Sequence, residues 1–489
     1  MTRPSLNLPL PVMISIPVGA LMDIPTAEWI RGTHDQRIMN GGIGNVTGYV
    51  GPGNSGKTTI MRYTALSALS RVYLSVKDDA YYSSYDTELN AHEGRNKHLS
   101  CAFDVFKDMD LLKDGIWQIT NKAIYSGNKF FAAVKDYLLE KRKDKKAFRF
   151  NTAFLDRDGI SPMKVMHPSF TDMDSLTQFV TDDVEKMIDD TEVGQKEGNT
   201  IFMRQGLAKM RMLMEIPSLA ASASNYFLFT AHIGKSIVMP AGPMTLPPRK
   251  QLQGMRDDEI IKGVSNNFFY LLHNCWLLST SKPLLNKDTR APEYPFEPGD
   301  EVAGDLDLNI TALKQLRGKN GSSGFNIEII WSQREGVLAG LSEFHYIKRM
   351  ERFGLEGSDR DYALTLLPDV RLSRTKVRKV IRDTPKLQRA LEITSQLCQM
   401  YEFHRYMKNE LMEIPDLKKK LEDLGYDWDF ILTHTRGWNT LEDETHPLFP
   451  FSTYDLCRAA NGLYRPYWLE ADCKTVKPQY AKIKIGYQP

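Results

Sequence analysis

The sequence predicts an α/β protein built on a mainly parallel sheet, followed by a mainly helical C-terminal region. Three observations predict it. Gly51-Pro52-Gly53-Asn54-Ser55-Gly56-Lys57-Thr58 fits G-x-x-x-x-G-K-[ST], the phosphate-binding loop that joins a strand to a helix. Between residues 164 and 331, strand-like runs alternate with helical ones, as in sheets whose parallel strands are linked by crossover helices. Beyond about residue 350 helical character dominates. The expected division is a lead-in over residues 1–44, a core over 45–350 and a helical domain over 351–489. Within the core, about 100–164 reads as an insertion and 235–264 as a long loop rich in Pro, Gly, Met and basic residues.

Composition sets the outer limits. The chain has 489 residues, 42% hydrophobic and 25% charged, ordinary values for a globular protein of two or three domains. A net charge of +2 excludes a strong global attraction to nucleic acid, so such binding would need a local patch. The five cysteines are scattered without a C-x-x-C pair, which argues against a zinc site or a disulfide framework. No apolar run is long enough to span a bilayer and no leader pattern opens the chain, so the expectation is a cytoplasmic protein with no membrane partner.

The elements follow in order. Residues 46–50 read as a strand entering the loop and 59–66 as the helix leaving it. Glycines let the backbone bring its N–H groups to phosphate oxygens, and Lys57 reaches the outer phosphates. Thr58 offers a hydroxyl to Mg²⁺, and the helix opening at Thr59 aims its dipole at the anion. Further strands are expected at 169–173, 226–230, 276–279 and 327–331. Asp174 closes the first of these and is the candidate magnesium carboxylate; the alternative is a helix cap. Glu88, in Asp86-Thr87-Glu88 just past a second strand expected between the loop's helix and about residue 100, is the candidate base; the alternative is a turn-forming acid. His232 ends an apolar strand just before the long loop, as a phosphate contact or as a packing residue. Arg317 and Lys319 lie on a basic turn between two strands, either as cations reaching a neighbouring subunit or as parts of an ordinary hairpin. Residues 372–381 place cations around an apolar stripe, as a DNA-guiding helix or as a solvated basic face.

Taken in this order, the motifs resemble the RecA-like ATPases, over roughly residues 40–350. Asp86-Thr87-Glu88 is similar to the D-[ATS]-E of RecA-family recombinases, and Met173-Asp174-Ser175 to their Walker B segment. His232 falls at their phosphate-sensing position, residues 235–264 at their DNA-binding loop, and Arg317 and Lys319 at their trans-acting cations. The 317–324 turn is also similar to a segment of DnaB-type helicases. The resemblance implies ATP and Mg²⁺ as ligands, single-stranded DNA as partner and a homo-oligomer, either a head-to-tail filament or a ring. A recombinase of the phage UvsX type, acting in the host cytoplasm, is expected first, because the core starts near the N-terminus and a helical region follows it. A DnaB-like helicase and a RecA-like regulatory or assembly ATPase that does not act on DNA remain as alternatives.

Overall fold

The structure is a computed structural model that describes residues 14–144, 146, 150–156, 158–182, 198–235, 250–320, 323–350, 353–442 and 446–481. In chain order its strands and helices are β1 (Glu28–Arg31), β2 (Arg37–Asn40), β3 (Val46–Gly51), α1 (Lys57–Val76), β4 (Tyr81–Asp86), α2 (Glu93–Cys101), β5 (Trp117–Asn121) and α3 (Gly127–Lys143). Next come β6 (Phe150–Leu155), β7 (Pro162–Val165), β8 (Ser169–Asp174), α4 (Gly198–Ala223), β9 (Asn225–Lys235), β10 (Glu259–Ile261), α5 (Asn266–Phe269) and β11 (Asn274–Leu278). Then follow β12 (Lys282–Pro283), β13 (Leu308–Gly318), β14 (Asn326–Ser332), β15 (Gly336–Val337) and α6 (Ala339–Arg349). The last part holds β16 (Leu355–Ser358), β17 (Asp361–Leu364), β18 (Leu367–Leu372), α7 (Val377–Asp383), α8 (Pro385–Phe403), α9 (Ile414–Asp423), α10 (Trp428–His434) and α11 (Thr453–Ala460).

One large mixed sheet runs β15-β14-β13-β11-β3-β9-β8-β4-β5. Every neighbouring pair from β11 to β5 is parallel. The strands β13, β14 and β15 are antiparallel additions at one side. Helices cover both faces, so β3, β8 and most of β9 are buried throughout. That burial explains their sequences. Val46-Thr47-Gly48-Tyr49-Val50 shows little polar alternation, and a Cβ on Gly48 would lie 2.5 Å from the Phe229 ring of β9. Helix α1 buries most of its circumference, which is why it lacks a clear polar face.

All four expected strands and the loop's helix form. The stretch at 100–164 mixes the helix α3 with strands: β5 joins the main sheet beside β4, and β6 pairs with β7 as a separate hairpin. Two expectations are corrected. The sheet is less parallel than the alternation implied, because β13 returns along β11 through the long connection at 279–307. The C-terminal region opens with the antiparallel meander β16-β17-β18 before its helices begin.

The lead-in and the C-terminal region are built into the same body as the sheet. Leu308 and Ile330 of the sheet, Leu341 and Phe344 of α6, and Leu387, Leu391 and Leu397 of α8 share one hydrophobic cluster with Ile24 of the lead-in. Gln399 donates to the Leu21 carbonyl at 2.9 Å, and the His404 ring lies 2.8 Å from the Ile24 carbonyl. Among the described residues no helix is long and apolar enough to cross a membrane.

Because that core is continuous, Leu391→Ala is expected to cost about 2–5 kcal/mol of stability. In urea it should lower one shared transition, read alike by fluorescence and by proteolysis between α1 and β9. A separate early transition confined to residues beyond 350 would refute the shared core.

Candidate functional site at the strand C-termini

The candidate site lies where β3, β9, β8 and β4 end, the carboxyl edge at which open α/β sheets place ligands. The loop after β3 turns through left-handed conformations at Asn54 (φ 54°) and Gly56 (φ 74°). Gly56 admits no side chain, because a Cβ would meet the Trp331 ring at 2.8 Å. Nothing crowds Gly53 within 4 Å, which leaves its backbone open to a ligand. Lys57 Nζ donates to the Pro52 carbonyl at 2.6 Å and to Ser55 Oγ at 3.3 Å, closing the loop on itself. Burial pushes its pKa down, and the nearby Asp174 and Glu88 carboxylates oppose that shift.

Asp174 is 1% exposed at the end of β8. Thr58 donates to one of its oxygens at 2.6 Å, and Thr230 of β9 to the other at 2.5 Å. Its main-chain oxygen accepts the Thr87 N–H at 2.6 Å. Burial pushes the Asp174 carboxyl up, and the Arg62 guanidinium on α1 is the main opposing influence. The candidate cap is therefore an interior carboxylate that links α1, β8 and β9.

Each residue of Asp86-Thr87-Glu88 has its own task. Asp86 accepts the backbone N–H groups of Glu88 at 2.9 Å and Ala91 at 2.6 Å, which shapes the turn. Thr87 accepts the Ser175 N–H at 2.6 Å and donates to the Ser175 carbonyl at 3.0 Å, joining the ends of β4 and β8. Glu88 is left facing His232, whose Nε2 lies 3.0 Å from Glu88 Oε1. The His232 N–H donates to Thr177 at 2.8 Å, and its carbonyl accepts the Lys262 N–H at 2.8 Å. Beyond His232, β9 continues into a ladder with β10, in which Ile233 faces Ile261 and Lys235 faces Glu259. That ladder forms the stem of the long loop. Residues 236–249, with Pro240, Pro243, Pro247 and Pro248, lie outside the described residues.

The sheet thus brings Lys57, Thr58, Asp174, Glu88 and His232 together. It sets Arg317 and Lys319 apart. Gly318 pairs with Asn274, which pairs with Thr47 at the start of β3, about 13 Å along the strand from Gly51 at ~3.3 Å per residue. Arg317 donates to the carbonyls of Tyr270 at 2.8 Å and Leu272 at 3.1 Å, and Lys319 to that of Leu271 at 3.4 Å. These cations cap the chain leaving α5; residues 321 and 322 of the turn lie outside the described residues. Seven of the eight cations in the basic stretch at 371–389 are paired with acids. Arg371 pairs with Asp361, Arg374 with Glu301, Arg378 with Glu335, Lys379 and Arg382 with Glu297, Lys386 with Asp429 and Arg389 with Glu392. This geometry favours the basic-face reading over a DNA-guiding helix.

No protein-family model matches the chain, and no curated protein matches it. The site is therefore read from its own residues. Sequence reasoning missed Thr230, Thr87 and Arg62. Thr230 carried a signal, a hydroxyl closing an otherwise apolar run. Arg95 donates to Thr59 at 2.9 Å and so touches the first turn of α1. Behind the site Asp172 is fully buried, bonded by the Tyr82 hydroxyl and by Ser84 at 2.6 Å, and Trp117 donates to Ser84 at 2.8 Å. Burial pushes Asp172 up to about 6, against the pull of Arg62. The polar residue that interrupts β8 is thus the centre of an interior network.

Among the described residues no cluster of three or more His, Cys, Asp or Glu can hold a metal by itself. Thr58 and Asp174 form a two-oxygen edge that fits an ion whose remaining positions are filled by water and by the oxygens of a bound phosphate.

His273, at the far edge beside the basic turn, is 2% exposed, and burial next to Lys319 pushes its pKa down to about 4. An unfolded imidazole takes up its proton near pH 6.5, whereas the folded one stays neutral until pH 4. Stability is therefore expected to fall as pH drops through that window, by about 3 kcal/mol from this group. His273→Asn should flatten the urea midpoint between pH 6.5 and 4. An unchanged slope would show that the imidazole charges freely in the folded state.

Proposed function

We propose that this chain hydrolyses ATP on a RecA-like core and acts as a recombinase, assembling head to tail on single-stranded DNA and promoting strand exchange. The observation that carries the reading is the convergence of a phosphate loop, a buried strand-end carboxylate and a glutamate–histidine pair at one edge of a parallel sheet. Loop N–H groups and Lys57 hold the phosphates. Thr58 and Asp174 would hold Mg²⁺, which would supply charge neutralisation. Glu88 orients a water whose oxygen bonds to the γ-phosphorus as the bond to the β–γ bridging oxygen breaks. The water's proton goes to Glu88, and ADP carries away the electron pair. His232 exchanges its contact with Glu88 for the γ-phosphate and, through β9, bears on the ladder with β10 within the segment 235–264. That segment is the proposed DNA contact.

A second reading, a RecA-like assembly or regulatory ATPase without DNA, is favoured by one observation: the basic stretch at 371–389 spends its charge on internal acids. The discriminating measurement is ATP turnover with and without single-stranded DNA. Strong stimulation supports the recombinase, and none supports the regulatory ATPase. Lys57→Ala should abolish turnover and weaken nucleotide binding. Glu88→Gln should bind ATP yet turn over about 10²-fold more slowly, the range for a positioned base. Normal turnover in either variant rejects the site.

Arg317 and Lys319 sit too far from their own phosphate loop to serve it, and a head-to-tail assembly would present them to the next copy. Lys319→Ala should bind ATP but lose DNA-stimulated turnover. Mixing it with Lys57→Ala should restore part of it, because some interfaces then join an intact loop to an intact cation. Mixed assemblies with no more activity than the two variants summed would assign the turn to capping alone.

A further inference from the structure

A cavity of about 180 Å³ lies where the β1–β2 hairpin of the lead-in meets the C-terminal region. Its walls come from the turn between β1 and β2, from β6 and from residues 436–480. No described residue of this lining belongs to the phosphate-loop site. Two amide side chains in the wall are nearly enclosed: Gln36 is 5% exposed and Asn439 9%. Gln36 Oε1 accepts the His34 N–H at 2.7 Å, but its Nε2 has no hydrogen-bond partner among the described residues. The Asn439 amide has none for either of its atoms among the described residues. Enclosed polar groups normally find a partner. These three atoms are not sealed inside the fold; they keep accessible surface, so a ligand can reach them. Asn439 also borders a hollow of about 10 Å³, too small for more than one water, which leaves the larger cavity as the place where a ligand meets it.

Much of the remaining wall is aromatic. Tyr467 stacks on His34 with ring centres 4.0 Å apart and planes 24° from parallel, and Tyr480 meets Tyr467 edge-on at 5.4 Å. Glu442 and Arg436 line the space with opposite formal charges, and burial pushes the His34 pKa down, so the site does not select an ion. Unmatched amides between aromatic rings suit a planar, neutral ligand that carries a donor beside an acceptor. An Asn or Gln amide pairs at two points with the amino group and ring nitrogen of adenine, and aromatic side chains stack on any base. A volume below the ~300 Å³ of drug-sized sites suits a single ring system. We infer that this cavity binds an amino-substituted nitrogen heterocycle of the nucleobase class, its edge paired with Asn439 and Gln36 and its rings packed among His34, Tyr467 and Tyr480. The base arrives free or turned out of a single strand; the recognition chemistry is the same. Binding does not depend on the ATPase reading.

The probe is adenine, titrated into the full chain and followed by calorimetry. A saturable site is expected, at least ~10-fold tighter for adenine than for benzimidazole, which has the same outline but lacks the amino group. Asn439→Leu loses no hydrogen bond within the described residues, so it should keep the melting temperature and abolish adenine binding. Adenine held at the phosphate loop would survive that substitution. Tyr480→Ala should weaken binding about 10-fold, the range for one stacking ring. If Asn439→Leu does not fold, Tyr480→Ala and the ligand pair decide the matter. Displacement of adenine by a short deoxyadenosine strand would assign the base to a nucleic acid, and no displacement would assign it to a free base. No saturable site, equal affinity for benzimidazole, or unchanged binding in folded Asn439→Leu would overturn the inference.

Discussion

The buried carboxyl of Asp174 is the constraint on which the rest of the site depends. Its two side-chain oxygens bind hydroxyls from α1 and β9, and its main-chain oxygen binds Thr87 at the end of β4. A carboxylate removed from water tolerates burial only when its lone pairs are met and a cation is near, and Arg62 supplies the cation. Three strands and the loop's helix are held in register by one group. A change to any partner leaves a charged or polar atom stranded, so small side-chain changes here act on the geometry of the whole edge.

The long strand β9 is the second organising part. It lies between β3 and β8, so it carries Thr230 to Asp174 and His232 to Glu88. It then runs on into the ladder with β10. Site and loop stem therefore share one continuous piece of backbone. A shift of the His232 ring has a direct mechanical route outward, with no need for a chain of side-chain contacts.

Much of this was legible in the sequence because it is local. The glycine-rich loop is a contiguous motif, and Asp174, Glu88 and His232 stand at the ends of strand-like runs, which the sheet brings to one edge. The missed parts depend on pairing between distant residues. Nothing in the run 169–174 says that Asp172 will be received by Tyr82 and Ser84, and nothing near Arg62 says that α1 will face β8. The short strand β5 was hidden in a charged, mixed stretch, because an edge strand needs few apolar residues. The meander at 355–372 carries Gly357, Pro368 and several acids, which mask its alternation. The basic stretch at 371–389 left two readings open. Its charge is visible in the sequence, but Glu297, Glu301, Glu335 and Asp361, which receive much of that charge, are scattered through earlier segments.

That neutralisation has a consequence for how the protein would respond to ionic strength. Affinity for a polyanion falls with salt in proportion to the number of phosphates whose counterions are released. Cations already committed to carboxylates release few. The seven paired arginines and lysines between Arg371 and Arg389 thus contribute little to such a slope, however basic the stretch looks. Salt would act there on the protein's own cohesion instead, by screening the exposed pairs that fasten α7 to the 279–307 connection.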